Sequence, residues 1–206
     1  MILRLVAAGA LALGLSTSSL YLMEMGKAPG SSAAERHLRA MKDRVGEPAA
    51  CTPTTFEEMT ALPRRAALAE YAEIERRGVS LEGYVLGFAR AADGDYHLEF
   101  APRLDPEGKL VPFLSAEIAP QHQRGSRTWT CERLGERFRS RYGGRTGWEQ
   151  PPRRVRLSGW LMYDAPYEGA RPSPGFPPHL TSWEIHPVTR VEVWNHSLGR
   201  YEEFAR

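Results

Sequence analysis

The chain has 206 residues, 42% of them hydrophobic and 25% charged, with a formal charge of +2. That length suits one domain with a substantial core plus extensions and excludes two domains of typical size. The composition is that of a globular protein, and so small a net charge gives no argument of its own for a nucleic-acid partner.

Residues 1–25, MILRLVAAGALALGLSTSSLYLMEM, carry one early arginine and an apolar run from Leu5 to Leu15 with the length of a signal-peptide core. Two fates stand open. Ser16 to Ser19 supply small residues for cleavage, whereas an uninterrupted span from Ile2 to Met23 reaches the roughly 20 residues of a membrane anchor. Either fate predicts an exported protein of the periplasm or cell envelope, anchored to the membrane where the leader is kept. Cys51 and Cys131 are the two cysteines of the chain, and in an oxidising compartment they could pair; two unpaired buried thiols are the alternative. Their number and spacing do not suggest a structural zinc site.

Residues 26–78 read as a linker followed by a helical extension. Ser32 with Glu35 has the form of a capping box, and Ala34, Leu38, Met41 and Val45 recur at helical spacing. Glu47 to Pro53 breaks that helix. Thr54 with Glu57 repeats the capping signature before Phe56, Met59 and Leu62, and Pro63 ends the segment. A third helical stretch carries Leu68 and Tyr71 to about Arg77, with Gly78 suited to its C-terminal cap. These helices are expected to cover one end of the domain formed by the C-terminal two-thirds of the chain.

From Val79 onward the hydrophobic period is two. Val79, Leu81, Gly83 and Val85 share one face of a first strand, Asp93-Gly94 is a hairpin turn, and Tyr96, Leu98 and Phe100 face inward on a second. His97 and Glu99 therefore point the other way. Asp105 to Gly108 is a turn, and Leu110 to Ile118 a third strand carrying Glu117. A helix capped by Ser126 or Thr128 runs to about Tyr142 with Leu134, Phe138 and Tyr142 as its stripe, closed by Gly143-Gly144. In the fourth strand Val155, Leu157, Gly159, Leu161 and Tyr163 alternate with Arg156, Ser158, Trp160, Met162 and Asp164. A proline-rich connection from Ala165 to Thr181 leads to a fifth strand, Trp183 to Trp194, in which Pro187 signals an edge or a bulge.

The order strand, strand, strand, helix, strand, strand over residues 79–206 predicts a mainly β (α+β) fold: a five-stranded OB-like Greek-key barrel with a helix between strands 3 and 4 and N-terminal cap helices. The pieces LEGYV, GDYHLEF, RVRLSGWLMYD and WEIHPVTRVEVW resemble an uncharacterised family of exported bacterial proteins with GD-x-HL and E-x-HP-V motifs. The resemblance covers about residues 66–200, and it implies the barrel fold rather than an activity.

His97, Glu117, Asp164, Glu184 and His186 form the candidate catalytic constellation, because imidazoles and carboxylates both hold divalent metals and move protons. His97, Glu184 and His186 are the candidate metal ligands. Trp160, Tyr163, Tyr167, Trp183 and Arg156, around the long connection, are the candidate ligand-binding residues. From Arg124 to Arg156 ten arginines stand against Glu132, Glu136 and Glu149, with Trp129, Phe138, Tyr142 and Trp148 interleaved, a pattern suited to a polyanion or single-stranded nucleic acid, or simply to a solvated helix face. Ser158 lacks the G-x-S-x-G elbow of a nucleophile, and the chain has no P-loop or dinucleotide fingerprint. Three functions stay open: a binding module acting through the strand 4–5 loop, a metal-dependent hydrolase built on the His/Glu/Asp cluster, and an envelope scaffold that contacts another protein.

Overall fold

The computed structural model describes residues 32–107, 109, 111–142, 148–169 and 177–205. The leader, most of the linker, Gly143-Gly144 and the middle of the proline-rich connection lie outside them. In chain order the elements are α1 (Ala33–Lys42), β1 (Thr52–Thr54), α2 (Phe56–Ala61), α3 (Leu68–Ile74), β2 (Gly78–Arg90), β3 (Tyr96–Ala101), β4 (Leu114–Ile118), α4 (Pro120–Gln123), α5 (Cys131–Phe138), β5 (Arg141–Tyr142), β6 (Trp148–Gln150), β7 (Arg153–Tyr163), a 3-10 turn (Ala165–Tyr167), β8 (Trp183–Asn195) and β9 (Arg200–Glu203). Among the described residues no helix is long and apolar enough to cross a membrane.

Five strands close a barrel in the order β2-β3-β4-β8-β7 and back to β2. Every pairing is antiparallel except β4 with β8, where Ala116 lies opposite Ile185 in parallel. Numbered by position in the barrel this is 1-2-3-5-4-1, with α5 between strands 3 and 4, so the expected OB-like architecture is what the chain forms. Closure depends on β2 serving two neighbours. Gly78 to Val85 pair with β7, Tyr84 to Arg90 pair with β3, and a bulge between Val85 and Gly87 turns the strand between them. At Gly83 a Cβ would sit 2.5 Å from the Ala101 carbonyl oxygen, so the tight crossing of the two strands requires glycine there.

Alternation decides what fills the barrel. Leu81, Leu98, Phe100, Leu114, Ile118, Leu157 and Ile185 point inward and are fully buried, each contributing about 1.5–3 kcal/mol of hydrophobic stabilisation. Helices close the ends: Phe56 of α2 meets the Phe100 ring at 5.3 Å, and Tyr71 of α3 stacks on Tyr163 at 4.2 Å. Leu134 and Phe138 of α5 are buried against the same core.

Several local expectations shift. The capping box at Ser32 and Glu35 forms as expected, whereas the second uses Thr55 and Glu58 rather than Thr54 and Glu57, which leaves Thr54 free to end β1. That short strand lies in a segment expected only to break a helix, and it pairs in parallel with β2 at Val79 to Leu81. α3 stops at Ile74, so Gly78 opens β2 instead of capping a helix. The third barrel strand begins at Leu114, with Val111 and Pro112 outside it, and its expected start at Leu110 lies outside the described residues. Thr130 caps α5, which ends at Phe138; Arg141–Tyr142 then pairs with Trp148–Gln150. Pro187 sits at a bulge rather than an edge, since β8 is flanked by both β4 and β7 and its register with β7 shifts around Gly159.

Cys51 and Cys131 are free thiols, contrary to the disulfide expectation. Cys51 directly precedes Thr52, which pairs with Val79 at the start of β2, whereas the helix of Cys131 packs through Gly135 on Phe88 near that strand's far end. A disulfide needs the two Cα atoms within about 7 Å.

Candidate metal centre

The chemistry-bearing residues lie on the outside of the barrel wall. On β3 the inward residues are Tyr96, Leu98 and Phe100, so His97 and Glu99 project outward. On β4 Leu114, Ala116 and Ile118 fill the core and Glu117 projects outward; on β8 the inward residues Trp183 and Ile185 alternate with the outward Glu184 and His186. The barrel order makes these positions neighbours, since His97 pairs across the ladder with Glu117, and Ala116 lies opposite Ile185.

Helix α1 covers this polar strip. Its last residue, Lys42, reaches Asp164 Oδ2 at 3.5 Å and Glu117 Oε2 at 3.8 Å. His37 pairs with Glu75, and the Gln121 amide donates to the Lys42 and Arg44 carbonyls, so α1 is tied down at its middle and at its C-terminal end. Under it His186 is 0% exposed, while the side chains of Lys42 and His97 keep 17% and 22% exposure and form the outward limit of the cluster.

Three ligand-type side chains converge there. His186 Nε2 lies 3.1 Å from Asp95 Oδ2 and 3.4 Å from Glu117 Oε2. One donor atom from each of Asp95, Glu117 and His186 falls within 4.8 Å of the others. The second oxygen of Glu117 lies 3.0 Å from His97 Nδ1, which fixes the carboxylate plane. Glu117 Oε2, both Asp164 oxygens, Glu184 Oε1 and His186 Nδ1 are buried with no hydrogen-bond partner among the described residues. Buried polar atoms are normally satisfied, so the four carboxylate oxygens among them mark a demand for positive charge or donors that Lys42, 3.5 Å from Asp164 Oδ2 and 3.8 Å from Glu117 Oε2, meets only in part.

Electrostatics point the same way. Asp95, Glu117, Asp164 and Glu184 place four carboxyls around the Lys42 ammonium. Burial by itself would raise Glu117, but Lys42, the His97 hydrogen bond and His186 outweigh it and hold this carboxyl far below its usual range. Glu184 goes the opposite way, pushed well up by burial and by Glu117 and Asp164. Burial likewise raises Asp95 against the pull of His186, and Asp164 against that of Lys42. Lys42 is held charged by its carboxylates in spite of burial, and Glu117 raises His97 against the same opposing effect. The strip carries more carboxyls than one ammonium balances, and burial shifts Asp95, Asp164 and Glu184 toward their protonated forms.

All five residues of the sequence constellation, His97, Glu117, Asp164, Glu184 and His186, belong to this strip, and among the metal candidates His186 stands at the point of convergence. Asp95 and Lys42 are additions that the sequence constellation lacks. Asp95 follows the Asp93-Gly94 turn and reads as turn chemistry, although it stands two residues before His97 and so shares its strand face. Nothing in the sequence marks Lys42 beyond its place at the end of an amphipathic helix.

The aromatic ligand-binding candidates are largely spent on packing. Trp183 is 0% exposed and its indole donates to the Pro63 carbonyl. Tyr163 is buried, with its hydroxyl on Glu168; Trp160 donates to the Gly46 carbonyl under the Arg44 guanidinium. Arg156 pairs with Glu82 and stacks on Tyr201. Tyr167 stacks on His179, which burial pushes down to about 4 and which approaches Ser115 on β4. In the arginine-rich segment Trp129 and Phe138 are core residues and offer no surface for stacking bases. A groove of about 970 Å³ lies elsewhere, over Cys51, Ser80, Ser158, Arg156 and Arg190. Its arginines are matched by Glu82 and Glu192, so the uncompensated chemistry is in the buried strip.

No family model and no curated protein matches the chain. Among solved structures, a chain assigned as an aspartyl-tRNA synthetase from Leishmania major Friedlin is similar at a TM-score of 0.36 and 11% identity, over 86% of this chain and 26% of that one. At that score the likeness leaves fold and function to be argued from the residues of this chain.

Proposed function

We propose that this protein is an OB-like binding module whose ligand is a divalent transition-metal ion, held on the outer barrel wall by Asp95, Glu117 and His186. The convergence of those three donor atoms carries the reading. With metal–donor bonds of about 2.0–2.1 Å, two ligands of a tetrahedral ion stand about 3.4 Å apart. The 3.1 and 3.4 Å separations from His186 Nε2 are already of that size. His97 supplies the outer support a ligating carboxylate usually has. One imidazole with two carboxylates suits manganese, iron or zinc better than a thiol-seeking ion.

Of the two other functions left open by the sequence, metal-assisted hydrolysis would need substrate to reach the ion. The covering by α1 and the full burial of His186 favour holding an ion over turning over a substrate. The test is metal content. Chelator-treated protein titrated with Mn²⁺ or Zn²⁺ is expected to take up one ion per chain, with affinity falling by at least about 100-fold in His186→Ala and Asp95→Ala and unchanged in the exposed-site control His196→Ala. Equal uptake by His186→Ala and the unaltered chain would overturn the reading.

A further inference from the structure

We infer, resting on that metal reading, that α1 is the gate of the metal position: the ion enters and leaves when the helix lets go of Glu75 and Asp164, and Lys42 is the side chain that swings clear. The gate adds the route and the control of exchange to a site that its ligands alone leave closed.

Asp95, Glu117 and His186 are all buried, so an ion reaches them only after part of the structure moves. The wall that carries them is held by backbone ladders. β3 lies between β2 and β4, β4 between β3 and β8, and β8 between β4 and β7, each paired on both sides. Parting any of these strands breaks several backbone hydrogen bonds at once.

α1 is attached differently. Among the described residues no backbone hydrogen bond joins it to a strand, and Leu38 is its one buried residue. Side chains hold it instead. His37 pairs with the buried Glu75, whose other oxygen accepts from the Tyr163 amide at 2.9 Å. Lys42 Nζ lies 3.5 Å from Asp164 Oδ2, and just past the helix Arg44 donates to the Glu75 carbonyl at 3.0 Å and stacks over Trp160 at 4.6 Å. Gln121 Nε2 donates to the Lys42 and Arg44 carbonyls at 3.2 and 2.9 Å. A segment with little buried apolar surface and side-chain tethers is the part of a fold that opens locally while the rest stays folded.

Lys42 gives the gate its charge. Its Nζ stands 3.8 Å from Glu117 Oε2, the same oxygen that lies 3.4 Å from His186 Nε2. With a metal–oxygen bond of about 2.1 Å, a bound ion sits within about 6 Å of the ammonium, and two cations that close repel one another. An approaching ion therefore favours the open helix. Lys42 and His97, the partly exposed side chains of the cluster, mark the side on which it enters.

Two tethers can be removed without touching a metal donor. Zn²⁺ exchange is measured on the unaltered full chain, His37→Ala, Gln121→Ala and the exposed-site control His196→Ala. Stopped flow into a chromophoric chelator gives the release rate, isothermal titration the affinity, and mass spectrometry the amide hydrogen exchange of α1. In both tether variants the α1 amides are expected to exchange faster and Zn²⁺ release to accelerate about tenfold, the size expected from losing the hydrogen bonds of one tether. Affinity is expected to stay the same, because opening speeds entry and exit alike, and His196→Ala to match the unaltered chain. Should His37→Ala give no cooperative melting transition, Gln121→Ala carries the test alone. Faster α1 exchange with an unchanged release rate would show the ion leaving by another way and overturn the gate, as would α1 amides as slow as those of β8 in every chain. An unaltered chain that takes up no ion overturns the metal reading itself, whereas a chain that binds the ion and releases it at one rate in all variants overturns the gate alone.

Discussion

His186 Nε2 lies 3.1 Å from Asp95 Oδ2, across 91 residues of chain and between β8 and the residue leading into β3, two strands that are not themselves neighbours. β4 stands between them, and the parallel pairing of β4 with β8 brings the outward face of β8 level with Glu117 and the start of β3. His186 is fully buried, and its Nε2 stands between two carboxyls, 3.1 Å from Asp95 Oδ2 and 3.4 Å from Glu117 Oε2. His186→Ala removes the imidazole partner of Asp95 and leaves Glu117 with His97 and Lys42 alone. The metal-free variant is expected to lose about 3–5 kcal/mol in urea unfolding, the usual cost of breaking a buried charged pair from one side. A loss under about 1 kcal/mol, the scale of an exposed pair, would mean that the cluster is open to solvent.

His97 acts one step further out. Its Nδ1 is 3.0 Å from Glu117 Oε1, and Glu117 presents its other oxygen to His186 and Lys42. His97→Ala frees the carboxylate to rotate without removing a metal donor. Metal affinity is expected to drop about 10–100-fold, with the number of ions bound unchanged at saturation. Isothermal titration separates the two quantities, and a change in number with unchanged affinity would assign His97 to the metal itself.

The β7–β8 crossing sets the height of His186 on the wall. At Gly159 a Cβ would meet the Pro187 carbonyl oxygen at 2.2 Å and Val188 Cα at 3.0 Å, both backbone atoms that cannot swing aside. Gly159→Ala must therefore push β8 outward at the residue after His186. A loss of about 3 kcal/mol is expected, together with weakened metal binding; full stability in chemical denaturation would show that the bulge has room to spare.

The barrel is legible in the sequence because alternation survives translation into three dimensions: the inward positions follow the period-two pattern along β3, β4 and β7, and along β2 and β8 on either side of their bulges. That pattern also puts His97, Glu117, Glu184 and His186 on the opposite face from the core. What it does not convey is that the outer face is covered. Cover comes from α1, whose capping box at Ser32 and Glu35 is plain in the sequence but whose docking partner is set by single side chains such as Lys42. For the same reason Trp160, Tyr163 and Trp183 read as binding aromatics. An aromatic beside a long loop has the same sequence pattern whether it meets a ligand or, as Trp183 does, the Pro63 carbonyl.

Acidity gives the sharpest test of the strip as a whole. Asp95, Asp164, Glu184 and His97 all have their pKa raised in the folded chain, the carboxyls by burial and His97 by Glu117 acting against burial. For each of them the folded state binds more protons than the unfolded one. Their contribution is therefore fully present below the unfolded values, about 4 for the carboxyls and 6.5 for histidine, and is lost as pH rises through the folded values. Glu117 is lowered, so its contribution is present above about 4.3 and disappears only in stronger acid. Lys42 is raised and keeps its contribution until pH exceeds its unfolded value of about 10.4. His179, lowered to about 4 by burial, contributes the opposite slope below about pH 6.5. Between about pH 6.5 and pH 8 the first group governs, and the metal-free protein is expected to become less stable as pH rises, with a falling urea midpoint. A divalent ion replaces the bound protons and is held more tightly as they leave, so saturating Mn²⁺ is expected to flatten or reverse that slope. A midpoint that climbs with pH in the metal-free protein would mean that the carboxyls are already ionised and matched, and would leave the metal no charge to supply.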